Sequence, residues 1–153
     1  MFQMQDTVMV RNSGICVIEA LDAQTMVLRP VRHPQKKLKL PVSAASDRVR
    51  RLMSREEAEE LLDRIPYIRT IQAPNDKVRM EFYQEAMEKN AGLEWIQVIK
   101  SVYLRKQERR LSAEELSLYE TAKEYAYSEL AAVLEIPLEQ VEDYICQHVA
   151  NSF

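Results

Sequence analysis

Glycine is almost absent from this chain. Gly14 and Gly92 are the only two in 153 residues. Walker and dinucleotide loops need glycine wherever backbone must approach phosphate and a side chain would clash, so both are excluded. Histidine is as scarce: His33 and His148 have no Cys/His/Asp cluster at metal spacing beside them, and no metal ligand or cofactor is expected. The two cysteines, Cys16 and Cys146, stand far apart without a CxxC pair. That argues against a disulfide scaffold and fits a reducing cytoplasm. No apolar run approaches the ~20 residues of a membrane span, and the N-terminus lacks the sections of a signal peptide. The expectation is a globular cytoplasmic protein with no membrane partner. The glutamate pairs (Glu56-Glu57, Glu59-Glu60, Glu114-Glu115) fall at helix starts, where acids suit the helix dipole. With His148 and Cys146 two residues apart, and so on different helix faces, no catalytic residue can be named and no enzyme is expected.

What is present is charge, unevenly placed. Residues 1–53 carry nine Lys/Arg against four Asp/Glu, a net +5; residues 54–153 carry twelve against twenty, a net −8. Such asymmetry implies two units with different partners. The first reads as four short strands. "DTVMVRNSGICVIEAL" holds two apolar runs broken by Asn12-Ser13-Gly14, "TMVLRPV" follows, and "KLKLPV" alternates Lys with Leu. They imply a small twisted sheet or partly open barrel.

From Ser54 the period becomes helical. "SREEAEELLDRI" opens with Ser54 and Glu57 at capping-box spacing and stops at Pro66. Asn75 or Asp76 caps a second helix to about Lys89, and "LEWIQVIKSVYLRKQER" makes a third after Gly92. Ser112 with Glu115 forms a second capping box, opening a long helix to about Leu134. A first-turn Pro137 starts a last one with Leu138, Val141, Ile145 and Val149 inward. The fold class is therefore α+β: a small sheet at 1–53, then an all-α domain of about five helices at 54–153.

Three features invite a functional reading. Trp95, the single tryptophan, suits core packing better than an exposed wedge, given Val98 and Ile99 beside it. Arg105, Lys106, Arg109 and Arg110 end the third helix. They are either cations favoured at a helix C-terminus or a phosphate clamp beside the next helix N-terminus. On charge alone the first is favoured, because a −8 unit repels DNA at long range. The basic sheet has Phe2 as its only aromatic, so it lacks the stacking residues of single-strand binders, and a protein partner suits it better than RNA. The lysines of "KKLKL" also fit an exposed edge strand that resists unwanted pairing.

The N-terminal stretch "MFQMQDTVMVRNSGICVIEAL" resembles the opening of CarD-like bacterial transcription regulators. "LKLPVSAA" is similar to their "VxVPxxNA" strand end, and "RKQERRLSAEELSLYETAKEYAYSELA" to their "RxxEKGLSxGEKxMLxxAxxxLxSELA". The resemblance spans about residues 1–134. It is most specific at Gln107-Glu108-Arg109, Leu111-Ser112-Ala113 and Ser128-Glu129-Leu130-Ala131. It implies a Tudor-like N-terminal domain, shared with transcription-repair coupling factors, that docks on the β subunit of RNA polymerase. A helical domain would then touch promoter DNA at the upstream edge of the melted region. By position, Lys39 falls where the family has a polymerase-contacting basic residue; Arg29 is added from charge and exposure, and Lys37 is the third polymerase-binding candidate. The implied DNA-contacting set is Arg105, Lys106, Arg109, Arg110, Arg79, Val78 and Met80.

Three departures bear on that set. The family's "Asn-Trp-xxx-Arg-Arg-Tyr" carries a minor-groove wedge, whereas "NDKVRMEFY" has no tryptophan and brings Val78 or Met80 nearest. The basic residue after "LSxGE" is Leu116 here. Gln5 replaces a family glycine, and the loop between the second and third strands is shorter. Two functions are therefore carried forward. One is a non-enzymatic, polymerase-bound regulator with weak, polymerase-dependent promoter contact; the other is a polymerase-bound adaptor whose acidic helical unit recruits a protein.

Overall fold

A computed structural model describes residues 2–149. The chain divides into two units, Met1–Leu52 and Met53–Phe153. The first is a curled five-stranded antiparallel sheet, a Tudor-like half-barrel, in the order β4-β3-β2-β1-β5. Its strands are β1 (Thr7–Val10), β2 (Gly14–Leu21), β3 (Thr25–Pro30), β4 (Leu38–Pro41) and β5 (Val49–Arg51). Alternation places Val8, Val10, Cys16, Ile18, Met26, Leu28 and Leu40 on one face, where they form a core with Ala45 and Val49. Burial pushes the Cys16 thiol up to about 12, which leaves it an inert packing group.

The turns follow from single residues. Asn12 (φ 64°) and Gly14 (φ 79°) take left-handed backbone in the β1–β2 hairpin. Asp22 closes the β2–β3 hairpin: its carboxylate accepts the Gln24 and Thr25 amides, both at 2.8 Å. Those two bonds hold it below the usual carboxylate range. Beyond β4, a 3-10 turn (Val42–Ala44) and the short α1 (Ala45–Arg48) carry the chain to the far edge, where β5 pairs with β1. The sequence expectation of four strands misses this fifth one. "VRR" is too short to show alternation, and its place comes from pairing with β1.

Among the described residues, the second unit contains five α-helices: α2 (Arg55–Arg64), α3 (Asp76–Glu88), α4 (Gly92–Glu108), α5 (Ala113–Leu134) and α6 (Val141–His148). The Ser54 capping box has both halves: Glu57 N donates to Ser54 Oγ at 3.0 Å, and Ser54 N to Glu57 Oε1 at 2.8 Å. Asn75 caps α3 by accepting the Val78 amide at 2.9 Å. At α5 only half of the expected box forms. Ser112 Oγ accepts the Glu115 amide at 3.1 Å, but the Glu115 carboxylate turns inward to other donors. Helix α5 ends on left-handed Glu135 (φ 58°), and Pro137 leads into a 3-10 turn (Leu138–Gln140) before α6.

Trp95, Tyr83, Ile96, Leu62, Ile65, Leu130 and Ile145 are fully buried. The Trp95 ring meets Tyr125 edge-on, with centroids 5.6 Å apart. Gly92 opens α4 at a close approach: a Cβ there would lie 2.9 Å from Leu61 Cδ2 and 3.0 Å from Met53 Cε. Among the described residues, no helix is long and apolar enough to cross a membrane.

Candidate functional site

The sheet unit carries its cations on the face opposite its core. Register pairs Val17 with Arg29 and Val27 with Lys39, so Val27, Arg29, Lys39 and, just before β4, Lys37 share one side. A register shift between Ile18 and Ala20 makes Glu19 an extra residue in β2. Its carboxylate draws in two of the three candidates, Arg29 at 3.5 Å and Lys37 at 3.9 Å. Lys39 is exposed on edge strand β4, without an ion pair among the described residues. Half-buried Val17 and Val27 with this basic rim make a surface able to receive an acidic protein face.

In the helical unit, Met80, Arg105, Arg109 and Arg110 line one cleft of about 300 Å³ between the start of α3 and the α4–α5 junction. Asp76, Lys77, Leu111, Ser112, Glu114 and Glu115 complete it. Arg105 does not face solvent as a clamp residue would. With its side chain 17% exposed, it donates through Nε to Glu115 Oε2 at 2.9 Å and through a terminal nitrogen to Oε1 at 3.2 Å. Fully buried Tyr83 donates its hydroxyl to the same Oε2 at 2.8 Å. The bond to Glu115 raises the guanidinium of Arg105 further, and burial, then Glu115, pushes the Tyr83 phenol above its usual range. Arg105 therefore locks α3, α4 and α5 together at the floor of the cleft.

The other candidates separate from that floor. Arg79 reaches the Ala73 carbonyl at 3.4 Å and Asp76 at 3.9 Å, and Val78 is half-buried. Lys106 lies over the Tyr119 ring at 5.6 Å, a ring that Lys123 also covers at 4.8 Å. Arg109 and Arg110 remain exposed, with no ion pair among the described residues, and Lys77 joins them. The sequence reading missed Lys77, although its place three residues before Met80 puts both on one face of α3. Three exposed cations face two exposed acids, Asp76 and Glu114, where the N-terminus of α5 opens. That balance suits one or two phosphates and no long backbone track.

Among the described residues, no three His, Cys, Asp or Glu side chains gather in a way that could hold a metal ion. A family model described as CarD, C-terminal domain, matches residues 66–146, more than half of the chain and all of the cleft. No curated protein matches the chain.

Proposed function

The chain belongs to the CarD family through its C-terminal domain, and from that membership we propose that it is a non-catalytic transcription regulator acting in the cytoplasm. It binds the β subunit of RNA polymerase through the sheet unit and modulates initiation, with its helical unit touching promoter DNA. The family match across the cleft residues is the observation that carries this reading. Lys39 contributes the free charge to the polymerase interface, with Arg29 and Lys37 beside it. Arg109 and Arg110 are the DNA contacts, and Lys77 is their neighbour. Three exposed cations give weak affinity for free duplex, with a salt slope of about −3 or shallower at ~0.9 per phosphate. Docking on polymerase raises the local concentration enough for that contact to matter. The expected result is saturable binding of the full chain to polymerase, weakened by Lys39→Glu. The Arg109→Glu/Arg110→Glu variant should bind polymerase normally yet lose its effect on open-complex lifetime.

Internal engagement of Arg105 and Arg79 in a unit of net charge −8 favours a second reading, a polymerase-bound adaptor that never touches DNA. An open-complex lifetime unchanged by the double Arg variant would select it. Tight duplex binding by the isolated protein with a steep salt slope would contradict both.

A further inference from the structure

After α2 the chain makes a 3-10 turn, Ile65–Tyr67, then continues without regular structure to the Asn75 cap. Helix α4 holds this segment at several points. The Lys100 ammonium, on a residue 8% exposed, donates to the carbonyls of Ile65 (2.8 Å), Pro66 (3.3 Å) and Ile68 (2.9 Å). Gln97 Nε2 donates to the Arg69 carbonyl at 3.0 Å, and Ser101 Oγ accepts the Ile71 amide at 2.8 Å. A buried ammonium is unfavourable unless hydrogen-bonded, and here its three bonds go to the backbone on either side of one residue. That residue is Tyr67.

Tyr67 is 84% exposed, more than any other large apolar side chain described, and it has no hydrogen-bond or ring partner among the described residues. Arg64 and Arg69 flank it, both exposed and free of ion pairs among the described residues. The three line a cleft of about 300 Å³ with Ile68, Leu93, Glu94 and Gln97. Ligand clefts run from about 300 to 1,000 Å³, so this one suits a single flat group. It shares no residue with the Arg109 cleft.

We propose that this cleft takes one unpaired nucleobase of a single-stranded nucleic acid. The Tyr67 ring stacks on the base, Arg64 and Arg69 meet the flanking phosphates, and the Glu94 carboxylate accepts an N–H from the base edge. Stacking needs an aromatic face already fixed in place, and the Lys100-bound turn supplies one. Tyr and Arg also make protein-binding hot spots, and loss of polymerase capture without oligonucleotide binding separates that case from a base site. The proposal is independent of polymerase docking, because it concerns free chain and free strand.

The test is fluorescence anisotropy of the full-length protein with a labelled short oligodeoxythymidylate and with a duplex of equal length. The expected result is saturable binding that prefers the single strand. Tyr67→Ala should weaken it about 5- to 150-fold, the equivalent of a stacked base, whereas Tyr67→Phe stays within about twofold. Arg69→Ala should flatten the salt slope by about 0.7. Tyr67 is on the surface, so loss of folding does not confound these variants. No saturable binding up to millimolar protein, equal binding by Tyr67→Ala, or a preference for duplex each overturns the proposal. So does loss of polymerase capture by Tyr67→Ala without any oligonucleotide binding, which would mark a protein-docking residue.

Discussion

Replacing Arg105 with methionine separates two roles that the sequence could not. Met keeps the length and apolar stem of Arg but removes every donor. Glu115, 5% exposed, would then keep only the Tyr83 hydroxyl and lose the bonds at 2.9 and 3.2 Å. Removing one partner of a buried ion pair costs about 3–5 kcal/mol; the remaining Tyr83 bond places this case near 3 kcal/mol. For a unit of this size, that lowers Tm by roughly 12–24 °C. Tyr83→Phe leaves the ion pair intact and removes a single hydrogen bond to a charged group, about 1.5–3 kcal/mol. Because both donors share Oε2, a double-mutant cycle should show coupling of about 0.5–3 kcal/mol. The assay is thermal and urea unfolding followed by Trp95 fluorescence, which reports the helical unit alone because Trp95 is the single tryptophan. An unchanged Tm for Arg105→Met, together with weaker DNA or polymerase-complex binding, would refute the reasoning. Arg105 would then be a surface phosphate contact.

Other perturbations have defined outcomes. Lys100→Met leaves the carbonyls of Ile65, Pro66 and Ile68 without that donor; the expected loss is about 1–3 kcal/mol, with hydrogen exchange at the Ile68 amide rising most. Burial raises the Tyr83 and Tyr127 phenols and pushes Tyr119 from 10.0 up to about 12. The folded chain thus keeps protons that the unfolded chain releases above pH 10. This stabilisation is fully present below pH 10 and is lost as pH rises toward 12. Lys100 acts oppositely, since burial lowers its ammonium and its contribution improves up to the ordinary value of 10.5. Three phenols against one ammonium predict a net fall in urea midpoint above pH 10, and a flat profile there would contradict those burials. Trp95 emission should be blue-shifted in the native protein and move to the red only when the helical unit unfolds, as expected of a ring 1% exposed.

The α+β class and the helical elements were legible because long amphipathic segments with strong caps carry their own instructions. Ser54 with Glu57 and Asn75 act within one turn of sequence, and the structure has both caps. What stayed hidden depends on distant partners. Glu115 has capping-box spacing, but Tyr83 and Arg105, neither near it in sequence, supply better donors and draw its carboxylate inward. The basic knot reads as one motif, yet helix geometry divides it. Arg105 points to Glu115 on α5, Lys106 to Tyr119, and only Arg109 and Arg110 remain outward. Tyr67 carries no sequence signal at all. The stretch after Pro66 reads only as a connector between helices, and the exposure of Tyr67 comes from a lysine thirty-three positions later that holds the turn beneath it.

The pairing of β5 with β1 gives the sheet unit an order of assembly. Val10 meets Val49 and Val8 meets Arg51, so the second strand from one edge waits for the last residues of the unit. The hairpins β1–β2, β2–β3 and β3–β4 can form as the chain emerges from the ribosome, because their contacts are local. Until residue 51 is free, β1 has an unpaired edge and the core lacks Val49. Closing that last ladder also bears the entropy of the longest loop in the unit, which makes it the late, slow step. A fragment ending at Arg48 would keep the edge open and is expected to self-associate, whereas one extending past Arg51 seals it.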